Sequence, residues 1–257
     1  MTELNKKVYG TDAPVTLAEC VYMGDGTNST VKDEIQIIKN SSANPNAPNK
    51  YNGKKALWLG DSISVVGTKT YPDTVCSNLN MTLLNKASSG ASANRMRYIL
   101  QGGTPIEGGT YTPVDLHDID YAFIAIGHNC DGPLGIASGS IDDIPVESNS
   151  DYTNYSNGFY TDVASCIEYI RNNNVNTQIY IITPIQSDVQ RYITTTSLAQ
   201  EALKKIANMY SIPVIDLYSE CGVCRKNCSV YTYDNIHPNT DGITKIATYI
   251  TTYLLNN

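Results

Sequence analysis

Long apolar runs are missing from this chain. No stretch approaches the roughly 18–20 residues of a helical membrane span, so no membrane-embedded segment is expected. The N-terminus, MTELNKKVYG, lacks the apolar stretch of a secretory signal, so no export address is expected there. Basic residues are scarce: 18 Lys and Arg stand against 25 Asp and Glu, a net charge of −7. That balance argues against a nucleic-acid partner, which needs clustered cations on the phosphates. Three catalytic signatures are absent as well. There is no G-x-S-x-G elbow, no H-E-x-x-H helix and no Walker A loop. Phenylalanine is nearly absent, two residues against nineteen tyrosines. Tyrosine combines an apolar face with a polar tip, which suits half-wet surfaces such as sugar-facing grooves, although compositional drift gives the same count.

What remains is a globular composition, 41% hydrophobic and 17% charged over 257 residues. It is ample for one domain with an appendage. Seven cysteines form an odd set, so a complete intramolecular disulfide framework is not expected. Cys221, Cys224 and Cys228 cluster as C-x-x-C-x-x-x-C, but no histidine lies among them and a fourth metal ligand is not evident. Reduced thiols or one local disulfide is the expected state, and no metal site is assigned.

The first 52 residues read differently from the rest. They end in the Asn-, Pro- and Ser-rich stretch at 40–52, a linker signal. An appendage over 1–52 and a main domain over 53–257, its core starting near Lys54, are therefore expected. The appendage is too small to fold alone and must pack on the domain or on a partner.

From Lys54 onward, short apolar runs alternate with helical patterns. KKALWLG, MTLLNKA, YAFIAIG, QIYIITP and IPVIDL have the near-continuous apolarity of strands buried on both faces. Phe159, Val163, Ile167 and Ile170 recur at helical spacing. So do Leu198, Ala202 and Ile206, and then Ile243, Ala247, Ile250 and Leu254. Alternation of this kind predicts an α/β fold with a parallel sheet covered by helices. Chemistry in such folds sits outside the carboxyl ends of the strands.

The residues after the predicted strands are chemically loaded. The first strand runs into Gly60-Asp61-Ser62, which sets a hydroxyl at the sheet edge, next to a helix N-terminus if a helix follows. The second leads to Gly90, where a backbone N–H can approach a ligand. The third ends in Gly127-His128-Asn129, whose Asn amide can donate to an oxyanion. Before the last helix, Asp234 and His237 lie three apart on one loop, so the acid can orient the imidazole. Each has a plain alternative: a serine N-cap, a turn glycine, a turn Asn, and a helix start capped by Asn239. Together they supply a nucleophile, a base, an orienting acid and oxyanion donors, the roles that acyl transfer needs.

In order and spacing, GDS at 60–62, Gly90, G-x-N at 127–129 and D-x-x-H-P-N at 234–239 resemble the four blocks of the SGNH, or GDSL, hydrolase family. The resemblance spans about residues 54–257. It implies a flavodoxin-like three-layer α/β/α sandwich around a five-stranded parallel sheet. It also implies Ser62 as nucleophile, His237 as base and Asp234 as the acid that orients it. The Ser62 and Gly90 N–H groups and the Asn129 side chain would form the oxyanion hole. The expected activity is hydrolysis of short acyl esters, most plausibly acetyl groups on a carbohydrate, with a small-molecule or glycan ester as partner and no cofactor. A non-catalytic module of a phage particle, or an acyltransferase using the same residues, is the alternative. One departure is Cys130, where the family usually has Asp after the Asn. His128 beside the site is then open to two readings, a substrate contact or a packed core histidine, and Asp61 is a second candidate contact. Tyr22-Met23-Gly24-Asp25-Gly26 is similar to turn segments of phage tail and baseplate proteins, which would place the enzyme on a virion rather than in a cytoplasm.

Overall fold

In the computed structural model the described residues are 49–132, 134–147 and 151–257. The expected appendage over 1–48, including the Gly24-Asp25-Gly26 stretch, lies outside them.

Five strands form one all-parallel sheet in the order β2-β1-β3-β4-β5. They are β1 (Lys55–Gly60), β2 (Thr82–Asn85), β3 (Tyr121–Ala125), β4 (Gln178–Ile182) and β5 (Val214–Ile215). All five coincide with the predicted apolar runs. Burial follows position in the sheet: β3, in the centre, is buried at every residue, whereas β2, on the edge, is exposed or half-buried throughout. The expectation of two buried faces therefore fails for β2.

Side chains alternate between the faces. Leu57, Leu59, Ala122, Ile124, Ile179 and Ile181 point to one side. There they pack on α2 (Ala93–Gln101), α3 (Phe159–Asn173) and α4 (Gln190–Tyr210). Trp58, Phe123 and Tyr180 point to the other, against α1 (Tyr71–Leu79) and α7 (Thr240–Asn256). These three share one register row across β1, β3 and β4. Their rings stack at 4.5 and 5.5 Å between centroids. Two short helices, α5 (Leu217–Glu220) and α6 (Cys228–Tyr231), complete the path between β5 and α7.

The packed body extends upstream of Lys54. Tyr51 is fully buried in the α1/α7 layer, and its hydroxyl donates to the Leu254 carbonyl at 3.0 Å. Asn49 donates to the Leu79 carbonyl at 2.8 Å. Cys221 and Cys228 are buried, Cys224 is half-buried, and all three thiols are free.

Candidate active site

The turn after β1 is built by close backbone approach. A Cβ on Gly60 would stand 2.6 Å from the Ala125 carbonyl of β3, so only glycine fits where the strands end. Asp61 then caps a short 3₁₀ turn over Ser62–Ser64. Its Oδ1 accepts the Ile63 N–H at 3.1 Å, and its Oδ2 accepts the His128 N–H at 3.2 Å. One carboxylate thus ties the Ser62 turn to the loop after β3. The α-helix considered after Ser62 does not form there. Only this single turn follows, and α1 begins at Tyr71. The anion-favouring end of a long helix is therefore not what surrounds the hydroxyl.

Ser62 meets the loop ahead of α7. His237 Nε2 lies 2.9 Å from Ser62 Oγ, and His237 Nδ1 lies 2.6 Å from Asp234 Oδ2. The other Asp234 oxygen accepts the N–H groups of Ile236 and His237 at 3.0 and 2.7 Å. Partial burial raises the Asp234 carboxyl. The His237 backbone N–H, its imidazole and the Ile236 N–H outweigh that and hold it below the usual carboxylate range. The loop is pinned at several points. Thr232 and Pro238 form a bridge at its base, Tyr233 N–H donates to the His237 carbonyl, and Ser187 Oγ donates to the Asn235 carbonyl at 2.7 Å. Asn235 takes a left-handed conformation at φ 64°, which Asn tolerates better than most residues. Asn239 caps α7 through the Gly242 N–H, as its plain reading expected.

Gly90 has φ +71°, and a Cβ there would meet nothing within 4 Å, so conformation rather than space requires glycine. Asn129 is half-buried, and its amide donates to the Ala91 carbonyl at 3.4 Å, joining the third loop to the second. Ser62, Gly90 and Asn129 all follow carboxyl ends of adjacent strands, β1, β2 and β3.

Asp61 and His128 are placed differently from a substrate contact. Both are buried, with relative exposures of 1% and 2%. The Asp61 oxygens are occupied by backbone N–H groups. His128 Nδ1 lies 3.8 Å from Asp61 Oδ2, and His128 Nε2 has no hydrogen-bond partner. Burial pushes the His128 imidazole below its ordinary pKa. Asp61 opposes this and nearby His237 adds to it. His128 is packed in the interior, and Asp61 caps the Ser62 turn.

Two hollows border residues of these loops. One, of about 310 Å³, is mostly apolar and is walled by Ala93, Ile106, Asn129, Cys130 and Leu134. Part of its lining, from Cys130 to Gly135, comes from the loop after β3. The other, of about 530 Å³, adjoins His237 through Tyr233 and Pro238. Sequence reasoning passed over Tyr233. Its ring stacks on His237 with 5.7 Å between centroids and 14° between planes. The available signals were its place beside Asp234 and the tyrosine excess.

No protein-family model and no curated protein sequence matches the chain. Solved structures do. A lipase/acylhydrolase from Enterococcus faecalis is similar at a TM-score of 0.55 and 17% identity, over 79% of this chain and 96% of that one. A member of the lipolytic G-D-S-L family from Veillonella parvula is similar at 0.50 and 19%, over 77% and 96%. An acetylxylan esterase from Geobacillus stearothermophilus, in a catalytic mutant form, is similar at 0.54 and 16%, over 79% and 94%. With its five-stranded parallel sheet layered between helices, this chain has the α/β fold of the GDSL, or SGNH, hydrolase structures.

Proposed function

We propose that the protein is a serine esterase that removes short acyl groups, acetyl foremost, from a carbohydrate. The observation that carries this reading is the continuous Ser62–His237–Asp234 relay, with contacts of 2.9 and 2.6 Å. His237 takes the Ser62 proton as Oγ attacks the ester carbonyl, and the ionised Asp234 supports the imidazolium. The carbonyl oxygen becomes an oxyanion held by the Ser62 and Gly90 N–H groups and the Asn129 amide. The tetrahedral intermediate collapses, and His237 delivers its proton to the departing alcohol oxygen. Water, activated by the same imidazole, then cleaves the acyl-serine and releases the acid. The small hollow beside Asn129 suits a short acyl group. The likeness to an acetylxylan esterase agrees with the carbohydrate part of the reading.

The test is Ser62→Ala against the wild-type protein on 4-nitrophenyl acetate and on an acetylated oligosaccharide. Loss of turnover on the order of 10⁶-fold at an unchanged thermal midpoint is expected. Retention of most activity at normal stability would refute the scheme.

A further inference from the structure

The two hollows differ in chemistry and in which part of the relay they adjoin. Asn129 stands in the wall of the apolar one, so a carbonyl oxygen held by Asn129 directs its acyl group there. The departing alcohol must instead lie where His237 can protonate it. The 530 Å³ cleft reaches His237 through Tyr233, which stacks on the imidazole, and through Pro238; its border also includes Thr68, Lys69, Thr240 and Thr244. Its volume falls within the roughly 300–1,000 Å³ of small-molecule sites.

Tyr233 is the large aromatic of this border. It is 62% exposed while its ring stacks on His237. Among the described residues, the side chains of Thr68, Lys69 and Thr240 have no hydrogen-bond partner in the protein. Such a border combines a flat apolar plate with scattered hydroxyl and ammonium donors. A sugar ring matches it, having apolar C–H faces and an equator of hydroxyls. An aliphatic alcohol would leave the donors unused.

We infer that this cleft is the leaving-alcohol subsite, and that Tyr233 is a specificity-determining residue that takes a sugar ring of an acylated saccharide on its face. The inference rests on the esterase reading above.

The experiment compares kcat/KM for ethyl acetate with kcat/KM for a panel of acetylated xylan, mannan and chitin oligosaccharides. Wild type, Tyr233→Phe, Tyr233→Ala and Lys69→Ala are assayed, and each variant's thermal midpoint is recorded. The wild-type protein is expected to favour at least one saccharide. Tyr233→Ala should lower the saccharide-to-ethyl-acetate ratio about tenfold, chiefly through KM, because the ring face is lost. Tyr233→Phe should keep the ratio, since the face remains, and Lys69→Ala should lower it in the same direction. An equal fall on both substrates carried by kcat would show that Tyr233 only steadies His237, and would overturn the subsite. So would an unchanged ratio, or a wild-type preference for ethyl acetate over every saccharide. Should Tyr233→Ala fail to fold, an unchanged ratio in Lys69→Ala overturns the subsite by itself. Failure of the wild-type protein on all esters is a different outcome, because it removes the esterase reading itself.

Discussion

His128 should make the fold lose stability in mild acid, and the sign of that effect follows from its surroundings. The imidazole is buried, its Nε2 is unpartnered among the described residues, and the neighbouring Asp61 carboxylate already accepts two backbone N–H groups. At 3.8 Å, Asp61 would pair with a charged ring, but burial and the neighbouring His237 prevail and lower the folded-state pKa. In the unfolded chain the ring titrates at about 6.5. Between the two values the unfolded state holds one more proton, so stability falls as pH drops through about 6.5. The loss between pH 7.5 and 5.5 has a ceiling of about 1.4 kcal/mol, the value for a folded ring that takes up no proton in that window. His128→Asn abolishes this proton uptake while costing packing equally at both pH values. Urea unfolding of both proteins at pH 7.5 and 5.5 gives the double difference, in which the other carboxylates cancel. The wild-type protein should lose more than the variant, by at most about 1.4 kcal/mol. Parallel losses would refute the reasoning. A smaller loss for the wild-type protein would show instead a charged His128 paired with Asp61.

Asn129→Ala should lower kcat about 10²–10³-fold by deleting one oxyanion donor, with little change in KM, measured on 4-nitrophenyl acetate. Asp234→Asn should cost on the order of 10⁴-fold in kcat, since the imidazole loses its orienting charge. Because the Asp234 carboxyl is held below the usual carboxylate range, protonation of this group should depress activity only at pH values below that range, which a pH–rate profile would read. Arg97→Ala should destabilise the fold by about 3–5 kcal/mol in urea, because it strands the buried Asp162, whose carboxyl burial already pushes up. The same guanidinium donates to the carbonyls of Tyr152, Thr153 and Tyr155, so proteolysis near 152–155 should speed up as well.

Much of this architecture was legible in residue order, for a physical reason. In a parallel sheet, interior strands are apolar on both faces, so KKALWLG, YAFIAIG and QIYIITP stand out as unbroken runs, and the reactive residues follow directly after them. Helices α1 and α2 were harder to see. Tyr71–Leu79 carries Pro72 and Asp73 in its first turn, and Ala93–Gln101 buries Asn94 and Arg97. Asp73 belongs to a local capping box with Thr70, whereas Asn94 and Arg97 interrupt the apolar period because their partners, Asp162 and the 152–155 carbonyls, lie far away in sequence. Asp61 as the clamp between two loops, and Tyr233 as a plate on His237, are likewise products of folding. Neither has a local pattern that distinguishes a cap from a ligand contact or a platform from a loop tyrosine.

The Tyr51–Leu254 hydrogen bond has a bearing on orientation. It brings the start of the described body beside the last turn of α7, at the sheet edge where the strands begin. Ser62, Gly90 and Asn129 lie at the other edge, where the strands finish. Both ends of this body thus share one pole, and the proposed reaction centre faces away from it. A protein tethered through Asn257, or through a chain shortened to start at Asn49, would present the serine outward to a polymer too large to diffuse. A tether inserted at the exposed 106–110 loop would turn the same serine toward the support.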